Sequence, residues 1–156
     1  MSVSAWRIVK RKLAKDAFSG EGARLYGGRW NSPGVSVVYA AQSQSLAALE
    51  LLVHLENSDL LHEYVVIEAR FDASLITRIA KSDLPKDWRA GPPPASARAI
   101  GDAWIAEEPS PVLELPSAVV PAENIFLLNP EHPTFAKIEI GSPLDFEFDA
   151  RLISRR

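Results

Sequence analysis

The chain has 156 residues, enough for one domain, and its 47% apolar and 24% charged residues argue against global disorder; a folded chain of this length buries roughly 70% of the surface it exposes when unfolded. The formal net charge is −3, and Lys and Arg are spread thinly apart from Lys10-Arg11-Lys12 and Arg155-Arg156, a poor footprint for nucleic acid, whose binding rests on neutralising several phosphates together. No cysteine is present, which excludes disulfides, thiolate metal sites and cysteine nucleophiles.

Ala5-Trp6-Arg7-Ile8-Val9 is a short apolar run with one charge in its middle, and predicts a strand. Residues 16–34 hold five glycines together with Asp, Ser, Asn and Pro, too many breakers for a regular element, and read as a long shaped loop. Val35 to Ala41, rich in β-branched residues, predicts a second strand that ends at Gln42-Ser43. Ser43 or Ser45 then stands in an N-cap position before a helix over Leu46 to Leu55, stopped by Asn57-Ser58. That helix is apolar on nearly every side and is expected to be buried. Glu63 to Phe71 alternates well enough for a strand.

The segment Lys81 to Pro94 holds four prolines and reads as a surface excursion without a helix at 92–94. Ala95 to Glu107 predicts a helix, with Gly101 costing it about 1 kcal/mol relative to Ala. Val112 to Leu115, Asn124 to Leu128, Phe135 to Ile140 and Phe146 to Phe148 are further strand candidates between Pro and Gly signals. Together these describe one α+β domain of many short strands and two or three helices. Met1 to Lys15 lacks the apolar run of a signal peptide, and no stretch approaches the ~20 apolar residues of a membrane span. The expected location is the cytoplasm.

Chemistry concentrates in Gly27-Gly28-Arg29-Trp30-Asn31-Ser32-Pro33-Gly34. A guanidinium beside two glycines suits a phosphate, because Arg offers a planar fork of donors and Gly removes the Cβ that blocks backbone approach. The competing reading is a tight turn whose Arg29 pairs with a surface carboxylate. Glu50 is a lone carboxylate in the apolar run Leu46 to Val53; it either pairs with a cation such as Arg29 or lines a cleft, since an unpaired buried charge is costly. His54 shares its helical face one turn on, but no second histidine accompanies it and a metal site is not expected. Ser117 follows a strand in Leu115-Pro116-Ser117-Ala118 without a Gly-x-Ser-x-Gly elbow, so it is not expected to be a hydrolase nucleophile; by itself it reads as a turn serine. Asn124 and Asn129 read as loop caps.

Six stretches in register resemble RES domains: Trp6-Arg7; Gly27-Gly28-Arg29-Trp30-Asn31; Val38-Tyr39-Ala40; Ala47-Ala48-Leu49-Glu50 through His54-Leu55; Pro116-Ser117-Ala118-Val119-Val120-Pro121; and Asn129-Pro130-Glu131-His132-Pro133. The resemblance covers Trp6 to about Ile140. It implies a single RES domain over 1–156, with a core at about 5–140, short mostly antiparallel strands in two small sheets, flanking helices, and an ADP-ribosyltransferase-like cleft between the sheets. The tail 141–156 is then a final strand or an antitoxin contact. The resemblance further implies the toxin of a toxin-antitoxin pair that degrades NAD at the nicotinamide–ribose bond, with water or inorganic phosphate as acceptor and without a metal. An Xre-type helix-turn-helix antitoxin would be the partner.

Carried over by that resemblance, Arg7, Gly28 and Arg29 would hold the diphosphate and ribose part of NAD, Tyr39 would stack near nicotinamide, Glu50 would serve the reacting ribose, and Ser117 would add a hydrogen bond in the same cleft. ADP-ribosyltransferases present their glutamate from a strand, whereas Glu50 reads as helical, so the two glutamates are analogous in function only. Two other readings stand beside NAD degradation: transfer of ADP-ribose to a host protein, and a non-catalytic module that binds a nucleotide or a peptide.

Overall fold

A computed structural model describes residues 1–152. The longest ladder joins β1 (Ser2–Lys10) to β3 (Tyr64–Asp72), antiparallel over all nine residues from Ser2 opposite Asp72 to Lys10 opposite Tyr64. A second group of strands is built from β2 (Val38–Ala41), β4 (Ile76–Arg78), β5 (Val112–Pro116) and β6 (Asn124–Leu128). Here β6 lies antiparallel between β2 and β5, and β4 runs parallel to β5. Two short strands, β7 (Glu139–Ile140) and β8 (Leu144–Phe146), pair with opposite ends of β3.

The two small sheets expected from the resemblance are one eight-stranded mixed sheet in the order β4-β5-β6-β2-β1-β3-β7, with β8 also on β3. The two groups meet only where β1 touches β2, through the single register pair Trp6 and Ala41. Beyond that pair the ladder does not continue, and a side chain takes over: Arg7 donates from Nη1 to the Tyr39 carbonyl at 2.9 Å and from Nε to the Ala17 carbonyl at 2.7 Å. Carbonyls that lose a ladder partner inside a protein must find another donor. At this seam the sheet is split almost in two.

Within the second group, β2, β5 and β6 are largely buried on both faces, which explains their continuous apolar runs, whereas the edge strand β4 has no buried residue. Leu113, Leu115, Ile125 and Leu127 point into one core with Leu46, Ala47 and Leu52 of α2 (Gln44–Leu52) and with Ala97 and Trp104 of α3 (Ala95–Glu107). Val112, Phe126, Leu128, Val38 and Ala40 point the other way, against Ala5, Ala69, Phe71 and Ile138. The alternation follows from the two-residue period of a strand.

Helix α2 starts at Ser43, whose hydroxyl accepts the Leu46 N–H at 3.1 Å and so satisfies one of the donors that a helix start leaves open. Its expected burial all round is not found, since Leu49 is 43% and Val53 60% exposed. One face of α2 reaches the core and the opposite one faces solvent.

The glycine-rich segment is also more regular than its composition suggests. A helix α1 (Glu21–Tyr26) runs between Gly20 and Gly27, both at positive φ, and the Gly27 N–H closes it on the Ala23 carbonyl. Those glycines cap the helix instead of breaking it; only Gly22 is interior. Phe135–Lys137 is a 3-10 turn, so the predicted strand Phe135 to Ile140 shrinks to β7, and the last strand lies at 144–146 instead of 146–148. Phe148 follows β8 into the core against Tyr64, ring centroids 5.2 Å apart. Residues 153–156 of the predicted tail lie outside the described ones.

Gly101 shows why α3 tolerates a poor helix former. A Cβ built there would lie 1.8 Å from the Trp30 carbonyl oxygen, so its absence is what lets the helix dock on the glycine-rich loop. Replacing Gly101 by Ala gains about 1 kcal/mol of helix propensity but forces the packed loop aside at a cost of about 3 kcal/mol. Gly101→Ala should therefore lower the melting temperature by roughly 4–8 °C. Gly22→Ala, where a Cβ would meet nothing within 4 Å, should raise stability by about 0.5–1 kcal/mol. Thermal unfolding of the two variants checks both signs.

Candidate functional site

A cleft of about 1050 Å³ opens at the seam between β1 and β2, large enough for a dinucleotide-sized ligand. Arg7, Gly28, Arg29, Tyr39 and Glu50 all line it, although they come from two strands, a loop and a helix. Ser117 stands behind the wall: it is fully buried, and its hydroxyl donates to Glu50 Oε1 at 2.5 Å. The Ser117 hydroxyl oxygen accepts the backbone N–H groups of Val119 and Val120, each at 3.0 Å. Those two donors point the Ser117 proton at the carboxylate, so the predicted hydrogen bond in the cleft is made to Glu50.

The alternatives left open for Glu50 are decided by its surroundings. No ion pair to it exists among the described residues, and its hydrogen-bond partner is the neutral Ser117. Glu50 is a cleft-lining carboxylate, half-buried and without a cation.

The arginines are the converse. Arg7 spends donors on the Ala17 and Tyr39 carbonyls, and burial pushes its pKa down to about 10, which leaves it cationic at neutral pH. Arg29 donates from Nη1 to the carbonyls of Trp88 and Ala90, each at 2.9 Å. Neither has a carboxylate partner among the described residues, so the turn-with-surface-ion-pair reading of Arg29 fails. Carbonyl acceptors fix the plane of a guanidinium and leave its charge uncancelled.

Arg29 is carried by a tightly bonded loop. The Gly28 N–H closes on the Asn31 carbonyl at 3.0 Å. Asn31 is completely buried; its Nδ2 faces the carbonyls of Ala23, Ser32 and Val35, and its Oδ1 accepts the Tyr39 hydroxyl at 2.6 Å. The Tyr39 oxygen accepts in turn from the Trp30 N–H at 3.1 Å, and burial pushes its pKa well above the usual tyrosine value. With its hydroxyl committed to the loop, Tyr39 has only its ring to offer a ligand.

This also revises the reason for Gly28. A Cβ there would come within 2.6 Å of the Tyr39 hydroxyl and 2.9 Å of Asn31 Oδ1, so the glycine first makes room for the lock that holds the loop. Trp30 is buried and stacks on Trp88, centroids 6.1 Å apart, which ties the segment 81–94 to the site, although that segment is the surface excursion its prolines predict, with no buried residue.

Sequence reasoning missed Asp102 and Arg98 on α3. Asp102 accepts from the Ser32 N–H at 2.8 Å and from the Ser32 hydroxyl at 2.6 Å. Arg98 lines the cleft and donates to the Pro93 carbonyl. Both stand in a helix whose sequence carries no sign of which loop it will face. His54 lies exposed on the cleft rim. Among the described residues, no group of three His, Asp or Glu is placed to hold a metal, and no helix is long and apolar enough to cross a membrane.

The Asp102 carboxylate accepts one backbone N–H and one hydroxyl; an amide could keep both contacts only by reversing the second, its Nδ2 donating to Ser32 Oγ, and would lose the charge that strengthens them. Asp102→Asn should cost about 1–2 kcal/mol and speed amide hydrogen exchange at Ser32 and its neighbours. Unchanged exchange would mean that the loop is held without α3.

The RES domain family matches residues 4–149. The chain is 42% identical to a protein of Yersinia enterocolitica named Toxin Res, covering 94% of this chain and 97% of that one. It is 37% identical to the Prs ADP-ribosylating toxin of a Sphingobium species, covering 99% of each. Its fold is similar to a chain in the crystal structure of the M. tuberculosis MbcT-MbcA toxin-antitoxin complex, with a TM-score of 0.77 at 19% identity over 94% of this chain and 85% of that one. With a family match over nearly its whole length and relatives this similar, the chain belongs to the RES domain family of toxins.

Proposed function

We propose that the protein is the toxin of a bacterial toxin-antitoxin pair, that its whole chain acts as one RES domain in the cytoplasm, and that it consumes NAD by breaking the nicotinamide–ribose bond. The observation that carries this reading is the pattern of uncancelled charge in one cleft: among the described residues, a carboxylate with no cation and guanidinium groups with no carboxylate. NAD has the complementary pattern. Its diphosphate is anionic, and its ribose becomes cationic as nicotinamide departs, in an oxocarbenium-like transition state analogous to that of glycosidases.

Arg7 and Arg29 hold the diphosphate in this reading, with the backbone at Gly28 close by. Glu50 meets the ribose through the carboxylate oxygen not engaged by Ser117. Its charge stabilises the developing cation more than it stabilises neutral ribose, and such differential stabilisation lowers the barrier. Ser117 acts as a positioning residue, because its donated hydrogen bond sets the carboxylate plane. The Tyr39 ring flanks the nicotinamide. Nicotinamide leaves as a neutral molecule and needs no acid; water or inorganic phosphate then adds to the ribose and releases a proton.

One relative bears the name ADP-ribosylating toxin, and this favours a second reading, in which a side chain of a host protein is the acceptor. The cleft requirements are the same up to departure of nicotinamide. The fold shared with a chain of a toxin-antitoxin complex supports an antitoxin as partner, and an Xre-type helix-turn-helix protein covering the cleft is the form proposed here.

Purified protein incubated with NAD should release nicotinamide, and product masses with and without phosphate will identify the acceptor. No nicotinamide from water, phosphate or a cell lysate would remove the whole reading. Label from the adenylate half that stays on a protein band would favour transfer over degradation. Glu50→Gln keeps an oxygen for Ser117 and loses only the charge, so it should lower kcat by about 10²–10³ with little change in affinity. Arg29→Ala should raise KM by about tenfold or more. Equal losses in kcat and affinity for Glu50→Gln would contradict its role.

A further inference from the structure

We propose that Arg98 is a further anion-binding residue of the cleft, acting with Arg29 on a phosphoryl group. The inference rests on the reading of the cleft as a nucleotide site. Its own ground is how the arginines are distributed. Arg11, Arg24, Arg70, Arg78 and Arg151 are each ion-paired with a carboxylate. The three arginines that line the cleft, Arg7, Arg29 and Arg98, have no carboxylate partner among the described residues, and each is held by backbone carbonyl oxygens. Arginines left uncancelled by carboxylates among the described residues are thus, Arg89 excepted, gathered where a ligand enters. Arg89, also held by a carbonyl, that of Ala118, is exposed and outside the cleft.

Arg29 and Arg98 share one frame. The carbonyls of Trp88 and Ala90 hold Arg29, and that of Pro93 holds Arg98. Prolines have no N–H, so Pro92-Pro93-Pro94 is a run of acceptors without donors, suited to orienting guanidinium groups. Trp88, stacked on Trp30, locks this frame against the loop that carries Arg29. Arg98 donates through Nη1, and its other N–H groups remain for a ligand. Fork-shaped donors with uncancelled charge match the tetrahedral oxygens of a phosphoryl group better than they match a neutral base or sugar. That group belongs either to the dinucleotide's diphosphate or to free inorganic phosphate serving as acceptor.

The test uses the full chain carrying Glu50→Gln, so that nothing is consumed, and titrates it by calorimetry with ADP-ribose and with inorganic phosphate. Adding Arg98→Met, which keeps the apolar stem and removes the charge, should weaken at least one of the two by tenfold or more. Loss for ADP-ribose alone places Arg98 on the diphosphate, loss for inorganic phosphate alone places it on the acceptor, and loss for both places it where the two overlap. Arg98→Lys, which restores charge without the fork, should recover part of the affinity. Unchanged affinity for both ligands in Arg98→Met and Arg98→Ala, with melting temperatures like the parent's, would overturn the proposal. Nicotinamide release by the unsubstituted protein is read separately: its absence alongside an Arg98-dependent affinity would sink NAD cleavage and leave the anion site standing.

Discussion

The hydrogen bond from the Tyr39 hydroxyl to the buried amide of Asn31 is the contact on which the rest of the site depends. Tyr39 comes from β2, at the seam where the sheet nearly parts, and Asn31 from the loop that carries Arg29. Asn31 is buried with both polar atoms of its side chain engaged, which holds the loop in this shape, because leaving a buried amide unpaired costs about 1–3 kcal/mol. Gly28 follows from the same contact, since a side chain there would displace the hydroxyl. So does the docking of α3, whose Gly101 and Asp102 meet the Trp30 carbonyl and Ser32 of the loop so held.

Within that frame, charge is placed by neutral partners. Hydroxyls, backbone N–H groups and carbonyls orient Glu50 and the three cleft arginines without neutralising them. Ion pairs would orient as well, but they would spend the field that a ligand is meant to feel. Exposed pairs elsewhere on the surface, such as Arg24 with Glu21, contribute little to stability. The seam serves the same end: a sheet joined by one register pair between β1 and β2 leaves an opening in its middle, and Arg7 fills part of it with a guanidinium.

Glu50 and Arg29 were legible as residues out of keeping with their surroundings, one a lone carboxylate in an apolar helix and the other a guanidinium between glycines and a tryptophan. Arg98 and Asp102 carry no such mark, because a polar residue in an amphipathic helix is ordinary until its neighbour across space is known. Two misreadings had related causes: Gly20 and Gly27 look like breakers and are caps, and α2 looks wholly buried and is packed on one face. The segment 81–94 is the surface excursion its prolines predict, but spacing along the chain does not reveal that its carbonyls hold two arginines.

Local order along the chain follows from composition and spacing: the strand runs of β1, β3 and β6, the Ser43 cap, the full extent of α3, and the exclusion of thiol chemistry. These depend on interactions between residues a few positions apart, which linear order exposes. Pairings over long separations were decided by the tertiary fold. It chose one sheet instead of two, withheld a cation from Glu50, sent the Ser117 hydroxyl to that carboxylate, and bent a proline-rich segment over Arg29. Each outcome is set by which buried donor reaches which acceptor once the chain is packed, and no spacing along the sequence records that.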